Sequence, residues 1–255
     1  MLSKNPDPIR LRPVTERSIG TTSFFRNRPL IDTLLSRLKY DAKKTNKILF
    51  HACSVGAEVY SLIIRFLLFS YDDEYSIKCY ATDREEGFVG FAKSARYPSV
   101  ALNGMVDGEK RYFSLKEEEI SVLPRVRKYV DFLPAHDFTL FNTTNTYDVV
   151  FLLNALVYVP ESVQRKALAR ISKYNSRYLV VTGFHGDSIQ KDLENNGYCP
   201  ILENQQAIHD SWLDRRMAIE GDVRSPTIFT DWRLPSFSKI AGYEFKYCAI
   251  FEKQN

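Results

Sequence analysis

Glycine is scarce in this chain, with 11 in 255 residues, and only Gly56 falls in the small-residue turn Ala52-Cys-Ser-Val-Gly-Ala-Glu58. The three-glycine dinucleotide fingerprint is absent, so an NAD-dependent oxidoreductase ranks last among the readings below. Cysteine is sparse as well. The four, at 53, 79, 199 and 248, form no Cys-x-x-Cys pair and have no histidine at metal-ligand spacing. Three lie in apolar, strand-like runs and Cys53 in the turn after one, so buried reduced thiols are expected and a zinc or other metal site is not. No apolar run is long enough to span a bilayer: the longest, Leu62–Phe69, is short and interrupted by Arg65. The N-terminus is polar and proline-bearing, unlike a signal peptide. A soluble, cytoplasmic protein is expected, without membrane insertion. Charge of one sign is also lacking. Lys and Arg number 35 against 31 Asp and Glu, a net +4. The short basic clusters Arg125–Lys128 and Arg215-Arg216 read as solvated surface, and no nucleic-acid partner is expected.

What is present is an alternation of buried strands and amphipathic helices. The pattern predicts strands over 48–50, 77–81, 129–133, 147–153 and 178–182, with helices over 57–69, 85–95 and 161–174. A further helix starts at Pro29, a residue tolerated in a first helical turn. Residues 147–153 are nearly all apolar, as in a strand covered on both faces. The expectation is a doubly wound, mostly parallel α/β sheet. Residues 1–20 read as an extended tail before a main domain over 21–255. Residues 96–128 break the alternation and read as a small insert holding a charged helix over 116–120. Residues 198–255 read as a strand, a helix over 205–219, a loop and a last strand over 245–251.

Such a sheet binds ligands at the carboxyl ends of its strands. Small residues at Ser54, Gly56 and Ala57 let a ligand approach the backbone, and the following helix offers free N–H groups. Glu58 sits in that helix's first turn, either as a helix-dipole carboxylate or as an acceptor for a ligand ammonium. Asp83 ends the second strand, where it either takes ribose hydroxyls or caps the next helix. Asp137 and Phe138 follow the third strand, as an acceptor beside an aromatic face or as a plain turn residue beside the core. Asn154 ends the central strand, and Tyr158 lies four residues on. Upstream, Thr22-Ser-Phe-Phe-Arg26 pairs an aromatic plug with a guanidinium fork suited to a carboxylate.

Together these segments resemble the CheR-type chemoreceptor methyltransferases. The family's Thr/Ser-x-Phe-Phe-Arg is matched by Thr22–Arg26. Its Gly-Glu-Glu-x-Tyr-Ser is matched by Gly56-Ala-Glu58-Val-Tyr60-Ser61, and its Ala-Thr/Ser-Asp-Ile by Ala81-Thr-Asp83-Arg84. Its Asn/Asp-Leu-Leu is matched by Asp137-Phe-Thr139, and its Arg-Asn-Val-x-x-Tyr-Phe by Leu153-Asn154-Ala-Leu-Val-Tyr158-Val159. The match runs from about residue 20 to about 184, in order. The resemblance implies a Rossmann-like class I fold with a seven-stranded sheet and an antiparallel last strand. It implies S-adenosylmethionine as cofactor, held by Thr22, Arg26, Ser54, Gly56, Glu58, Asp83, Asp137, Phe138, Asn154 and Tyr158, with Arg26 and Tyr158 nearest the transferred methyl group. It also implies O-methylation of an acceptor carboxylate, a protein glutamate in the family, and makes the insert the family's small β-subdomain. Three departures stand out. Leu153 replaces the family's arginine, Ala57 replaces its first glutamate, and its N-terminal helical domain has no counterpart in the residues before Thr22. These keep two other readings open: a small-molecule acceptor, such as a sugar, and a non-catalytic regulatory module that binds S-adenosylmethionine. A hydroxyl acceptor would need a base, for which His185 is the candidate. Trp212, Trp232 and Arg215-Arg216 belong to an extended C-terminal region that would help define the acceptor.

Overall fold

The computed structural model describes residues 9–11, 20–39, 45–69, 75–156, 159–182, 186–208, 211 and 249–254. The elements run in chain order from a short strand pair, β1 (Ile9–Leu11) and β2 (Gly20–Thr22), to α1 (Arg28–Lys39), β3 (Thr45–His51) and α2 (Ala57–Phe69). β4 (Ser76–Ala81) and α3 (Glu86–Ser94) come next. Then follow β5 (Arg96–Pro98), a single 3-10 turn, α4 (Asp107–Lys110), β6 (Phe113–Lys116), β7 (Glu119–Val122) and α5 (Pro124–Arg127). The alternation resumes with β8 (Val130–Phe132), β9 (Val149–Leu153), α6 (Glu161–Ser172), β10 (Tyr178–Thr182), α7 (Gly186–Glu194), β11 (Tyr198–Pro200) and β12 (Ile250–Lys253).

The chain forms two compact units, Met1–Arg26 with Leu35–Phe138, and Asn27–Leu34 with Thr139–Asn255. In the first, β3, β4 and β8 are parallel neighbours, with Thr45–Phe50 paired to Ser76–Ala81 and Cys79–Ala81 to Val130–Phe132. β4 alternates, with Ile77, Cys79 and Ala81 buried. α2 is apolar almost all round and buries Ala57, Val59 to Ile64 and Phe66, as a core helix does. In the second unit, β9 and β10 are parallel and buried over most of their length. β12 runs antiparallel to both β10 and β11. The full strand order is β11-β12-β10-β9-β3-β4-β8, a mostly parallel seven-stranded sheet with an antiparallel last strand, as expected. α1 starts where Pro29 predicts. Asn27 caps it, its Oδ1 accepting from the Leu30 amide at 3.0 Å.

One expectation needs correction. The charged helix expected over 116–120 is a hairpin: β6 and β7 pair antiparallel with Lys116 opposite Glu119, and β5 pairs with β7. Glu117 takes the left-handed conformation at φ 56° that a two-residue hairpin turn requires. Ile120 and Val122 point inward while Glu119 stays exposed, so a period of two prevails over local helix propensity. In the N-terminal stretch, β1 pairs antiparallel with β2. The predicted helix over 205–219 is helical at 205–208 and 211, and the predicted last strand begins at Ile250; residues 212–248 lie outside the described residues. The helix α7 went unforeseen. Among the described residues, no helix is long and apolar enough to cross a membrane.

Candidate active site

The chain leaves β3 through a turn that holds three left-handed residues: Ala52 at φ 50°, Ser54 at 50° and Gly56 at 79°. Such a backbone favours small side chains, and these are small. At Gly56 space is tight as well, since a Cβ would lie 3.0 Å from the Ala92 Cβ. The turn is held from outside itself. Cys53 N donates to Thr82 O at 3.0 Å, and Ser54 N donates to Asp83 Oδ2 at 2.8 Å. The phenol of Tyr97, on β5, donates to Val55 O at 2.6 Å. Ser54 Oγ is buried with no hydrogen-bond partner among the described residues, and so is Thr22 Oγ1 on β2.

Asp83 is only 7% exposed and uses both oxygens, Oδ2 toward the turn and Oδ1 toward Glu85 N at 3.0 Å. The residue at the cap position of α3 is Glu85, and it makes no side-chain cap bond. Asp83 is thus not the cap residue of α3 itself, although its Oδ1 holds the backbone amide just ahead of that helix. Burial raises the Asp83 pKa, and the bonds from Glu85 N and Ser54 N oppose the rise. His136 N donates to Asp83 O at 2.8 Å, which brings the next residue, Asp137, beside the Asp83 loop. Asp137 is half-buried and Phe138 is buried.

Arg26 and Glu58 meet as a partly buried ion pair, Nη1 to Oε1 at 3.4 Å. Phe24 and Phe25 are fully buried behind Arg26. Phe24 packs edge-on against Tyr97 and Phe113, with centroids 4.8 and 5.1 Å apart. The predicted plug is thus real, and it grips the β5–β7–β6 sheet. Two titratable groups flank the turn. His51 ends β3 at 2% exposure, and burial lowers its pKa to about 3, with the charge of His136 adding to the effect. Burial pushes the Cys53 thiol well up, with Asp83 adding to the rise, so Cys53 stays protonated and is not a nucleophile.

In the second unit, Asn154 ends β9 in a left-handed conformation, φ 53°. Thr182, ending β10, fixes it in two ways. Its Oγ1 accepts from Asn154 N at 3.0 Å and donates to Asn154 Oδ1 at 3.2 Å. Leu153, where the family pattern has arginine, is half-buried. Tyr158, His185, Trp212, Trp232 and Arg215-Arg216 lie outside the described residues. Within the first unit the structure therefore joins Ser54 to Asp83 and Arg26 to Glu58 around one turn. Sequence reasoning missed Tyr97, Ser61 and Thr182 as supports of these groups. Tyr97, in the middle of β5, and Thr182, at the end of β10, sit in no motif, whereas Ser61 stands in the Gly-x-Glu-x-Tyr-Ser run and could have been found there.

The model of the family described as "CheR methyltransferase, SAM binding domain" matches residues 20–196. A chemotaxis protein methyltransferase 1 of Pseudomonas aeruginosa is 27% identical over 175 residues, covering 64% of each chain. A chemotaxis protein methyltransferase of Listeria monocytogenes is 28% identical over 161 residues, covering 61% of this chain and 60% of that one. The chain thus spans less than two thirds of the length of these curated relatives. A TehB-like SAM-dependent methyltransferase of Corynebacterium glutamicum aligns over 92% of this chain and 90% of that one, at 15% identity and a TM-score of 0.46, too distant a likeness to carry the assignment. That assignment rests on the family match, which takes in every motif from Thr22 to Asn154 in order: the chain belongs to the CheR methyltransferase family, through its S-adenosylmethionine-binding domain.

Proposed function

We propose that this chain binds S-adenosylmethionine on the turn after β3 and transfers its methyl group to a carboxylate oxygen, on a protein glutamate. The observation that carries the reading is the Ser54–Asp83 bond at 2.8 Å, which fixes a carboxylate at the ends of two adjacent parallel strands. A carboxylate has about four lone-pair sites, so Asp83 keeps acceptor capacity for ribose hydroxyls after its two backbone bonds. The buried Oγ atoms of Thr22 and Ser54, unpartnered among the described residues, fit a polar ligand. Opposite charges on Arg26 and Glu58 suit the carboxylate and ammonium ends of a zwitterionic amino acid.

When bound, S-adenosylmethionine supplies an electrophilic methyl group on a sulfonium sulfur. The chain's own part is modest. A glutamate acceptor is ionised near neutral pH, so no residue has to remove a proton. Arg26, Glu58, Asp83 and the turn hold the donor, while Asp137 and Phe138 take the adenine edge and face. By the family pattern Asn154, with its side chain fixed by Thr182, also belongs to the cofactor-binding residues, and Tyr158 is the family's counterpart near the transferred methyl group. Alignment of the two reactants away from water supplies most of the acceleration. The test is transfer of labelled methyl from S-adenosylmethionine into protein of a cell extract. Mild alkali then releases volatile methanol from an ester. Alkali-stable label in protein or in a small molecule would overturn the carboxylate acceptor.

A further inference from the structure

The residue before Arg26, which pairs with Glu58, is bent out of the ordinary conformation. Phe25 sits at φ 50°, in the left-handed region that a bulky aromatic rarely enters. Strain of this kind persists only where surrounding contacts over-determine it. Here the determining contact comes from 36 residues away. The Phe25 amide donates to Ser61 Oγ at 2.8 Å. The Ser61 hydroxyl in turn donates to Ala57 O at 2.6 Å, one turn back along α2.

The hydroxyl is used in both directions. Its proton goes to Ala57 O, so its oxygen faces Phe25 N as an acceptor. Ser61 is fully buried, and water cannot replace it in this exchange. Ala57 immediately precedes Glu58, so one hydroxyl ties the backbone that carries Arg26 to the backbone that carries Glu58. The rings of Phe24 and Phe25 fix where this segment lies. They do not by themselves fix how the backbone turns after Phe25.

We propose that Ser61 is a positioning residue: it holds Phe25 left-handed and thereby sets the Arg26 guanidinium against Glu58, where the pair receives the amino-acid end of the methyl donor. This rests on the S-adenosylmethionine reading above. Without the acceptor at Ser61, the buried Phe25 amide loses this bond, and its escape to an ordinary conformation swings Arg26 away from Glu58.

The test is calorimetry on the full chain with two ligands, S-adenosylmethionine and 5′-methylthioadenosine, which shares the nucleoside but lacks the amino acid. Ser61→Ala should weaken S-adenosylmethionine about tenfold and leave 5′-methylthioadenosine unchanged. In an Arg26→Ala background the same substitution should cost S-adenosylmethionine nothing more, because Ser61 acts through Arg26. Ser61→Cys, which keeps a weaker donor and acceptor in place, should give the same pattern at smaller amplitude, and it serves if the alanine variant does not fold. Equal weakening of both ligands, or an undiminished effect without Arg26, overturns the proposal and leaves Ser61 a core hydroxyl. A wild-type chain that binds 5′-methylthioadenosine but shows no preference for S-adenosylmethionine overturns it too, while failure to bind either ligand refutes the cofactor reading itself.

Discussion

The ends of β3 and β9 both carry left-handed residues, and they are held in different ways. After β3, the turn through Ala52, Ser54 and Gly56 is secured at Cys53 N, Ser54 N and Val55 O by a carbonyl and a carboxylate of the adjacent Thr82 and Asp83 and by the phenol of Tyr97, from two separate segments. After β9, Asn154 is secured by the hydroxyl and the carbonyl of one residue, Thr182. The first end is a backbone surface, made of N–H groups and small side chains, and a backbone surface needs several outside restraints. The second presents one side chain, and a neighbouring hydroxyl suffices to aim it. The difference follows from what each end offers a ligand.

The largest expected effect removes the main restraint on the first end. Asp83→Ala leaves two part-buried amides, Ser54 N and Glu85 N, without their acceptor. A loss of about 1–4 kcal/mol is expected from two such groups, read as a lower urea midpoint, along with loss of S-adenosylmethionine binding. An unchanged midpoint would mean that the turn holds itself.

The next effect uses the depth of that same end. His51 has a pKa of about 3 in the fold against 6.5 unfolded, so only the unfolded chain takes up the proton between those values. Its contribution to stability is therefore whole above pH 6.5 and falls as pH drops toward 3, by ~1.4 kcal/mol per pH unit at most. Asp83, with its raised pKa, acts in the opposite sense. Urea unfolding of His51→Gln across this range should show a flatter acid limb than wild type. Limbs of equal slope would place His51 in a wetter site.

The smallest effect belongs to the second end. Thr182→Val keeps the shape but loses both hydroxyl bonds to Asn154, while the backbone bond to Thr182 O remains. We expect about 0.5–1.5 kcal/mol in stability and full recovery with Thr182→Ser. A cost as large as that of Asp83→Ala would erase the contrast between the two ends.

The sequence made the first end more legible than anything else, for a physical reason. Its signals are local: a strand, a run of small residues, a helix start, and an acid closing the neighbouring strand. Strands fully buried on both faces, such as 178–182, could be read to the residue because apolar runs end sharply. The hairpin over 113–122 was misread because Glu117 enters the left-handed region without being glycine, and because charges at 116–119 look like a helix face. Tyr97, Ser61 and Thr182 act across 42, 36 and 28 residues respectively. A single sequence does not show partners so far apart. Even the role of Asp83 was legible only as a choice between ribose and cap, and the fold uses its carboxylate to brace the turn.

The proposal that the turn after β3 holds S-adenosylmethionine is open to calorimetric titration of that ligand into the folded chain, with Asp83→Asn alongside. Saturable one-to-one binding to the wild type is expected, with markedly weaker binding to the variant, whose amide keeps only one acceptor oxygen. No heat of binding to the folded wild type at millimolar ligand, or equal affinity in both proteins, would contradict it.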